Sequence, residues 1–157
     1  MIVKSFLDTN ILLYLASPNP ASAKKKAIAA KIVREESIGV SSQVLQEFYT
    51  VALRKAEFRL TPAEGLEWLE RLEEFPCTPI TPSLVKTAAL RSIRYGISYW
   101  DGAIIAAAEA LGAPILYTED LNHGQAYGSV TAVNPFFEPE SALGFHERQS
   151  EPFQENG

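Results

Sequence analysis

The chain has 157 residues, 46% of them hydrophobic, which is enough for one compact domain with a proper core and hardly enough for two. Its net charge of −5 argues against a protein that coats nucleic acid through bulk positive charge, although local basic patches stay possible. With a single cysteine and no apolar run near the ~20 residues of a membrane span, the sequence predicts a soluble cytoplasmic protein without an internal disulfide or a membrane partner.

The first half of the chain alternates short apolar segments with amphipathic ones. In chain order, we predict a strand, two helices, a strand and two further helices over "IVKSFLD", "TNILLYLAS", "SAKKKAIAAKIVREE", "IGVSS", "QVLQEFYTVALRKA" and "TPAEGLEWLERLEEF". Thr61 and Glu64 form a capping box with Pro62 at the first helical position, so the start of the last of these helices is well defined.

The second half begins with two further helices. Thr81 and Pro82 begin a helix over "PSLVKTAALRSIRY", which Gly96 ends. Ser98 caps the next helix, "YWDGAIIAAAEA", whose inner face is small and apolar and which Gly112 ends. Two more short strands are predicted over "PILYTED" and "SVTAVN".

Alternation of strands and helices predicts an α/β fold, a three-layer α/β/α sandwich around a central, mostly parallel sheet of short strands. We place one domain at residues 1–136. Residues 137–157, rich in Pro, Glu, Ser and Gln, are expected to be a partly disordered C-terminal extension, although Phe136, Phe137 and Phe145 are candidates for docking on the body.

Four acidic residues stand at positions of interest, and each has an ordinary alternative. Asp8 and Asp120 follow apolar strands, where open α/β sheets place their ligands, but Asp8 also suits a helix N-cap and Asp120 a turn. Glu47 falls within the inward stripe of its helix, or lies at the stripe's edge with its carboxylate in water. Asp101 is aimed along an apolar face, yet its spacing from Ser98 also fits a capping box.

Taken together, these four acids favour a metal site. A parallel sheet would bring them to one edge, and carboxylates held close together raise each other's pKa unless a cation lies among them. Oxygen ligands favour Mg²⁺ or Mn²⁺ over Zn²⁺. His123 and His146 are isolated in the sequence, and we expect neither to be a ligand.

The ordered set "LDTN", "QEFY", "YWDGAIIAAA" and "LYTEDLNHG" resembles the PIN-domain family, in particular VapC-type toxin ribonucleases of type II toxin–antitoxin systems. The resemblance covers residues 1 to about 136. It implies a Mg²⁺- or Mn²⁺-dependent endoribonuclease that hydrolyses RNA phosphodiester bonds.

The resemblance also implies roles for individual residues. Asp8 and Asp101 would be direct metal ligands, and Asp120 would complete the ligand set directly or through water. Glu47 would act through water or orient the nucleophile, so that all four acids count as catalytic. Small polar side chains would support them by hydrogen bonds: Thr9, Asn10 and Thr118.

Two other functions are open from the sequence. A haloacid-dehalogenase-type phosphatase also uses Mg²⁺ and aspartates, but it needs a second Asp where this chain has Asn10. The second is a PIN-like module that only binds other proteins. Loss of one or more of the four acids would support it, and all four are present.

Partners follow from the same interpretation. RNA is the expected substrate, and basic clusters such as "AKKKAIAAK" are candidate contacts. A small antitoxin, with an arginine reaching the acidic pocket, is the expected inhibitor. Trp68, Leu69 and Leu72 suggest more apolar surface than one core needs, and we expect a homodimer.

Overall fold

The computed structural model describes residues 2–139. The helices are α1 (Thr9–Ala16), α2 (Ala23–Glu35), α3 (Ser42–Arg54), α4 (Pro62–Leu72), α5 (Pro82–Tyr95) and α6 (Tyr99–Ala110). The strands are β1 (Ser5–Leu7), β2 (Ile38–Ser41), β3 (Cys77–Thr78), β4 (Ile115–Tyr117), β5 (Ala126–Tyr127) and β6 (Val130–Val133). Among these described helices, none combines the length and the apolar character that a membrane crossing requires.

The strands form one sheet in the order β3-β2-β1-β4-β6-β5. Neighbouring strands are parallel except β5, which is antiparallel to β6. In the register of β1 with β4, Leu7 lies opposite Tyr117, so the carboxyl ends of these two central strands lie side by side. The predicted three-layer α/β/α fold with a mostly parallel sheet is confirmed.

The central strands are covered on both faces. Phe6 and Leu7 of β1 and Leu116 of β4 are fully buried, because strands between two helical layers bury consecutive residues rather than alternate ones. Helix α6 contacts β2, β4 and β6, with α5 packed outside it, whereas α1 to α4 pack on one another as the second helical layer.

The small, apolar inner face predicted for α6 is present, and burial extends beyond it to every residue from 102 to 108. The reason is the close packing of α5 on its outer side. A Cβ atom on Gly102 would lie 2.5 Å from the carbonyl oxygen of Ala88 and 2.9 Å from the backbone nitrogen of Ser92. Ala103 and Ala106 complete this contact with small side chains.

Local end signals are present as the sequence indicated. Thr61 and Glu64 form both halves of the capping box, and Ser98 accepts a hydrogen bond from the backbone of Asp101. Gly96 and Gly112 have φ of 63° and 69°, the left-handed conformation that favours glycine at a helix end. The two-residue strands β3 and β5 were not predicted.

The start of the C-terminal segment lies against the body of the domain. The Phe136 ring meets the Tyr14 ring edge-on at 5.3 Å between centroids, and Lys24 pairs with Glu138 at 2.7 Å. A domain boundary at residue 136 stays a prediction. Residues 140–157, with Phe145, lie outside the described residues, and so does the greater part of the extension predicted to be disordered.

The apolar surface suggested for a homodimer is largely used within the chain. Leu72 is 1% exposed and belongs to the core, so its assignment to a surface is wrong. Leu69 is partly buried against the core, and the Trp68 ring packs edge-on against Phe48 at 6.5 Å. The homodimer stays a prediction without this surface to support it.

Candidate metal centre

Asp8 and Asp120 come together at the carboxyl ends of β1 and β4. Asp8 directly follows β1, and its backbone N–H donates to the carbonyl of Tyr117 at 3.0 Å. Asp120 lies in the loop that follows β4. Because β1 and β4 are parallel neighbours, both acids belong to the same edge of the sheet.

Asp8 is a buried carboxylate, 5% exposed, and it is also the N-cap of α1. One carboxylate oxygen accepts the Thr9 backbone N–H at 2.7 Å and the other accepts the Thr118 hydroxyl at 2.7 Å. The pKa of Asp8 is raised from 3.8 to about 7, mainly because burial disfavours the charged form. The two hydrogen bonds lower the pKa and the negative charges of Asp120 and Glu47 raise it, both by less than burial does. The helix cap and the site position are therefore one and the same residue.

Asp120 is tied to the same network. Its backbone N–H donates to the Thr118 hydroxyl at 3.1 Å, and one carboxylate oxygen accepts the Asn10 side-chain amide at 3.4 Å. Partial burial raises the pKa of Asp120, and the negative charge of Asp101 raises it further. Asp120 therefore interacts electrostatically with Asp101 of α6 and with Glu47 of α3.

Glu47 enters from α3, which follows β2. One of its carboxylate oxygens accepts the Thr9 hydroxyl at 2.8 Å, and the other accepts the Gln43 side-chain amide at 3.2 Å. Thr9 therefore links Glu47 to Asp8 through its own hydroxyl and its own backbone N–H. These bonds hold the Glu47 carboxylate at the site rather than free in water.

Asp101 lies in the first turn of α6, where its backbone N–H is bonded to the Ser98 hydroxyl at 3.1 Å. The residue is half-buried, whereas the helix after it is buried. Its negative charge raises the pKa of Asp120, so Asp101 lies within electrostatic range of that carboxylate. The structure thus brings all four acids to one region.

A family model for the PIN domain matches residues 5–128, more than half of the chain. This chain belongs to the PIN-domain family. The matched residues include all four acids and the three hydrogen-bonding residues Thr9, Asn10 and Thr118. A comparison with curated proteins found no match.

Solved structures similar to this PIN domain include VapC toxins. A sarcin–ricin loop cleaving VapC toxin of Mycobacterium tuberculosis matches with a TM-score of 0.60 and 18% identity, over 74% of this chain and 90% of that one. A toxin–antitoxin complex from Klebsiella pneumoniae matches with a TM-score of 0.64 and 17% identity, over 85% of this chain and 98% of that one. A Rickettsia felis VapBC2 complex bound to a promoter DNA fragment matches with a TM-score of 0.57 and 17% identity, over 83% of this chain and 97% of that one.

The donor set of this PIN domain fits a hard divalent cation. The side-chain oxygen of Asn10 is buried, and it has no hydrogen-bond partner among the described residues. It is an oxygen donor beside carboxylates that raise one another's pKa, which a cation would relieve. Within residues 2–139, no three His, Cys, Asp or Glu side chains are already gathered as a ligand set. The acids therefore approach one another without forming a closed ligand set, and a cation bound here would keep several waters, as Mg²⁺ commonly does.

Gln43 is a site residue that the sequence analysis missed. A glutamine one helical turn before Glu47 looks like an ordinary polar residue of an exposed helix face, and only its bond to Glu47 identifies it. His123 accepts the Asn134 backbone N–H and stacks on Phe137 at 4.4 Å, so the structure gives it a local structural contact. His146 lies outside the described residues.

The basic cluster at the start of α2 is occupied by contacts within this PIN domain. Lys24 pairs with Glu138, Lys25 pairs with Glu119 at 2.9 Å, and Lys26 donates to the carbonyl of Ser17. The Lys24 and Glu138 side chains are 79% and 60% exposed, so an RNA contact by this cluster stays a prediction. Within the chain, these lysines hold the C-terminal segment and the β4–β5 loop against α2.

The stability of the metal-free PIN domain should fall as the pH rises from about 4 to about 7. The pKa of Asp8 is raised on folding, so its contribution is fully present below the unfolded value of 3.8 and is lost as the pH rises through the folded value of about 7. The expected loss in free energy of unfolding is on the order of 2–4 kcal/mol. Urea titrations across this range, with chelator present, measure it.

Asp8→Asn should remove most of that pH dependence, because the side chain no longer titrates. Glu109→Gln is the matched control, since Glu109 is paired with Arg91 away from the acids. A wild-type profile that is flat across this range, or a slope retained in Asp8→Asn, would contradict the raised pKa of Asp8.

Proposed function

We propose that this PIN domain is a Mg²⁺- or Mn²⁺-dependent endoribonuclease, the toxin of a toxin–antitoxin pair, acting in the cytoplasm as a homodimer. The observation that carries the proposal is the convergence of four carboxylates, one of them buried with its pKa raised to about 7. The similar fold of a sarcin–ricin loop cleaving toxin supports a cleaving activity. Membership of the PIN-domain family leaves no support for the phosphatase alternative.

Asp8, Asp101 and Asp120 would hold the cation, together with the side-chain oxygen of Asn10. When bound, a divalent ion lowers the pKa of a water and neutralises charge on a phosphodiester. The protein's part is to fix the acids in place. Thr118 donates to the Asp8 carboxylate and accepts from the backbone N–H of Asp120, so a single hydroxyl ties the Asp8 side chain to the Asp120 backbone.

Glu47 has a different environment, which suits a role towards the attacking water. Thr9 and Gln43 each bond one of its oxygens, which fixes the orientation of the carboxylate. Each oxygen retains a lone pair, so Glu47 can accept a hydrogen bond from a water and orient it for attack. Thr9 bonds both Asp8 and Glu47, so it would fix the position of the Glu47 carboxylate relative to a cation held by Asp8.

The direct test is cleavage of total cellular RNA by the purified protein during titration with Mn²⁺ or Mg²⁺. We expect cleavage to appear with the metal, to stop in excess EDTA and to return when metal is restored. Sustained cleavage in excess EDTA would refute the metal-dependent mechanism. A protein that binds partners but cuts no RNA at any metal concentration would support the non-catalytic alternative.

We further propose an antitoxin partner that docks on a groove between α3 and α4. The groove has a volume of about 570 Å³, with Leu45, Tyr49, Leu66 and Leu69 among its lining residues and two acidic residues, Glu70 and Glu73, as well. An apolar groove with acidic side chains suits an amphipathic helix that carries basic residues at its margins. Similar folds occur in toxin–antitoxin complexes of Klebsiella pneumoniae and Rickettsia felis, which supports a partner of this kind.

An arginine of the same partner would reach the four acids. A guanidinium forms two parallel bonds with a carboxylate and would compete with the cation for Asp8, Asp101 and Asp120. Replacing the antitoxin's C-terminal arginines with alanine should therefore restore cleavage even where the complex still forms.

Leu66→Glu should weaken the complex with the antitoxin by about tenfold to a hundredfold, because it places a charge in the apolar groove. Leu66 is 55% exposed in the free chain, so the fold should tolerate the change. Ile2→Glu is the matched control, since Ile2 is also exposed and precedes β1. If calorimetry gives the Leu66→Glu variant the same affinity for the antitoxin as the wild type, this groove is not the docking site.

A further inference from the structure

Trp100 is an exposed aromatic side chain at the edge of the acidic site. It is 62% exposed and directly precedes Asp101 in the first turn of α6. The ring of Tyr99 meets it edge-on, with 5.1 Å between centroids and 78° between planes. This contact orients the indole while leaving most of its surface to solvent.

A cleft of about 90 Å³ lies beside the indole, where α3, α5 and α6 meet. It is lined by two aromatic residues, two glutamines and five aliphatic residues: Tyr99, Trp100, Gln43, Gln46, Ile80, Leu84, Val85, Ala88 and Ala103. Among the residues that the structure describes, those lining the cleft carry no charge. An uncharged, largely apolar cleft with two aromatic residues does not suit a phosphate, but it does suit the flat face of a ring system.

Gln43 joins this cleft to the acidic site. Its side-chain amide donates to Glu47 at 3.2 Å, while the same residue lines the cleft. On the other side, Trp100 and Asp101 are consecutive residues at the start of α6. An RNA strand with one phosphodiester among the carboxylates would therefore have a neighbouring nucleotide at the cleft.

We propose that Trp100 is a stacking platform for an unpaired nucleobase next to the phosphodiester that is cut, with Gln43 and Gln46 facing the edge of the base. The proposal rests on the proposed ribonuclease function and deepens it by naming a residue that would contact the substrate beside the scissile bond. Bases inside a duplex are stacked on each other, so a side chain can stack only on an unpaired base. Carboxamides donate and accept hydrogen bonds, so they can meet the edge of any base.

Steady-state cleavage of a short single-stranded RNA gives the first test. Trp100→Ala should lower kcat/KM by about tenfold to a hundredfold, the loss typical of one base-stacking contact, mainly through KM. Trp100→Tyr should restore much of the loss because it keeps an aromatic face. Trp100→Leu should not, although it keeps an apolar side chain. Equal activity of Trp100→Ala, or full rescue by leucine, would overturn the stacking platform.

Fluorescence gives a second test that does not depend on cleavage. The chain has two tryptophans, so Trp68→Phe leaves Trp100 as the single reporter. With Asp8→Asn added to prevent cleavage, single-stranded RNA should quench Trp100, and a matched strand made of abasic sites should quench it much less. Equal quenching by both strands would argue against stacking.

The two tests separate this proposal from the ribonuclease function itself. RNA cleavage by the wild type with an unaffected Trp100→Ala variant would retain the ribonuclease and reject the platform. If the bases quench Trp100 but no metal condition gives cleavage, the ribonuclease function is rejected and Trp100 is retained as a base-stacking residue. Light scattering adds a control: if Trp100→Ala changes the oligomeric state, Trp100 is a contact between two copies and the platform is rejected.

Discussion

Asp8→Asn and Asp101→Asn should each lower RNA cleavage by about a hundredfold or more in saturating Mn²⁺. Loss of a residue that only supports a metal ligand typically costs about 10- to 100-fold, and loss of a charged ligand itself should cost at least as much. Asn keeps the size of Asp and one acceptor oxygen, so the change removes charge and, at Asp8, one of two hydrogen-bond acceptors, but leaves the packing intact. The measurement is kcat/KM on a defined RNA together with the affinity for Mn²⁺.

The fold should survive both substitutions. Asp8 is buried and its pKa is raised to about 7, so its charge is unfavourable in the metal-free state, and the melting temperature of Asp8→Asn should be unchanged or higher near pH 8. Glu109→Gln is the control for Asp101→Asn, because Glu109 is on the same helix and pairs with Arg91. Full activity of either variant, or activity lost only together with the fold, would remove these carboxylates from the mechanism.

Gly102→Ala should lower the free energy of unfolding by about 1–3 kcal/mol, although alanine is the better helix former. The added methyl group would lie 2.5 Å from the carbonyl oxygen of Ala88 and 2.9 Å from the backbone nitrogen of Ser92. Backbone atoms of a neighbouring helix cannot rotate away, so α5 and α6 must separate. Denaturant titration measures the loss, and a drop in melting temperature of several degrees should accompany it.

Gly65→Ala is the matched control, because Gly65 is also a helical glycine with close neighbours. Its added methyl group would meet the ends of two side chains, Leu53 at 2.9 Å and Tyr49 at 3.0 Å, and these can move. The gain in helix propensity should then roughly offset the crowding. A loss at Gly65 equal to that at Gly102 would mean that the close contact of α5 with α6 is not what makes Gly102 necessary.

Much of the fold was predictable because its signals are local. The apolar run before Asp8 and the caps at Thr61, Ser98 and Gly96 define element ends through contacts within a few residues. The strands β3 and β5 have two residues each, too few to show any periodicity. They exist only because β2 and β6 lie beside them, which the sequence does not reveal.

The site was predictable where topology places it and not where side chains meet across the fold. Asp8 and Asp120 follow strands, so their position at one edge of the sheet follows from parallel pairing. The bond of Gln43 to Glu47 depends on side-chain orientation on α3, which sequence spacing alone does not fix. The contact of Lys25 with Glu119 joins residues distant in sequence, so spacing along the chain could not reveal it.

The order of the strands has a consequence for self-association. Both outer strands of the described sheet, β3 and β5, have two residues, so each edge offers only a short row of unpaired backbone groups. Long exposed edge strands are templates for sheet extension and aggregation, and short ones largely avoid that hazard. Two copies of this chain are therefore poorly suited to join through a continuous intermolecular sheet, and a dimer would have to form through its helices.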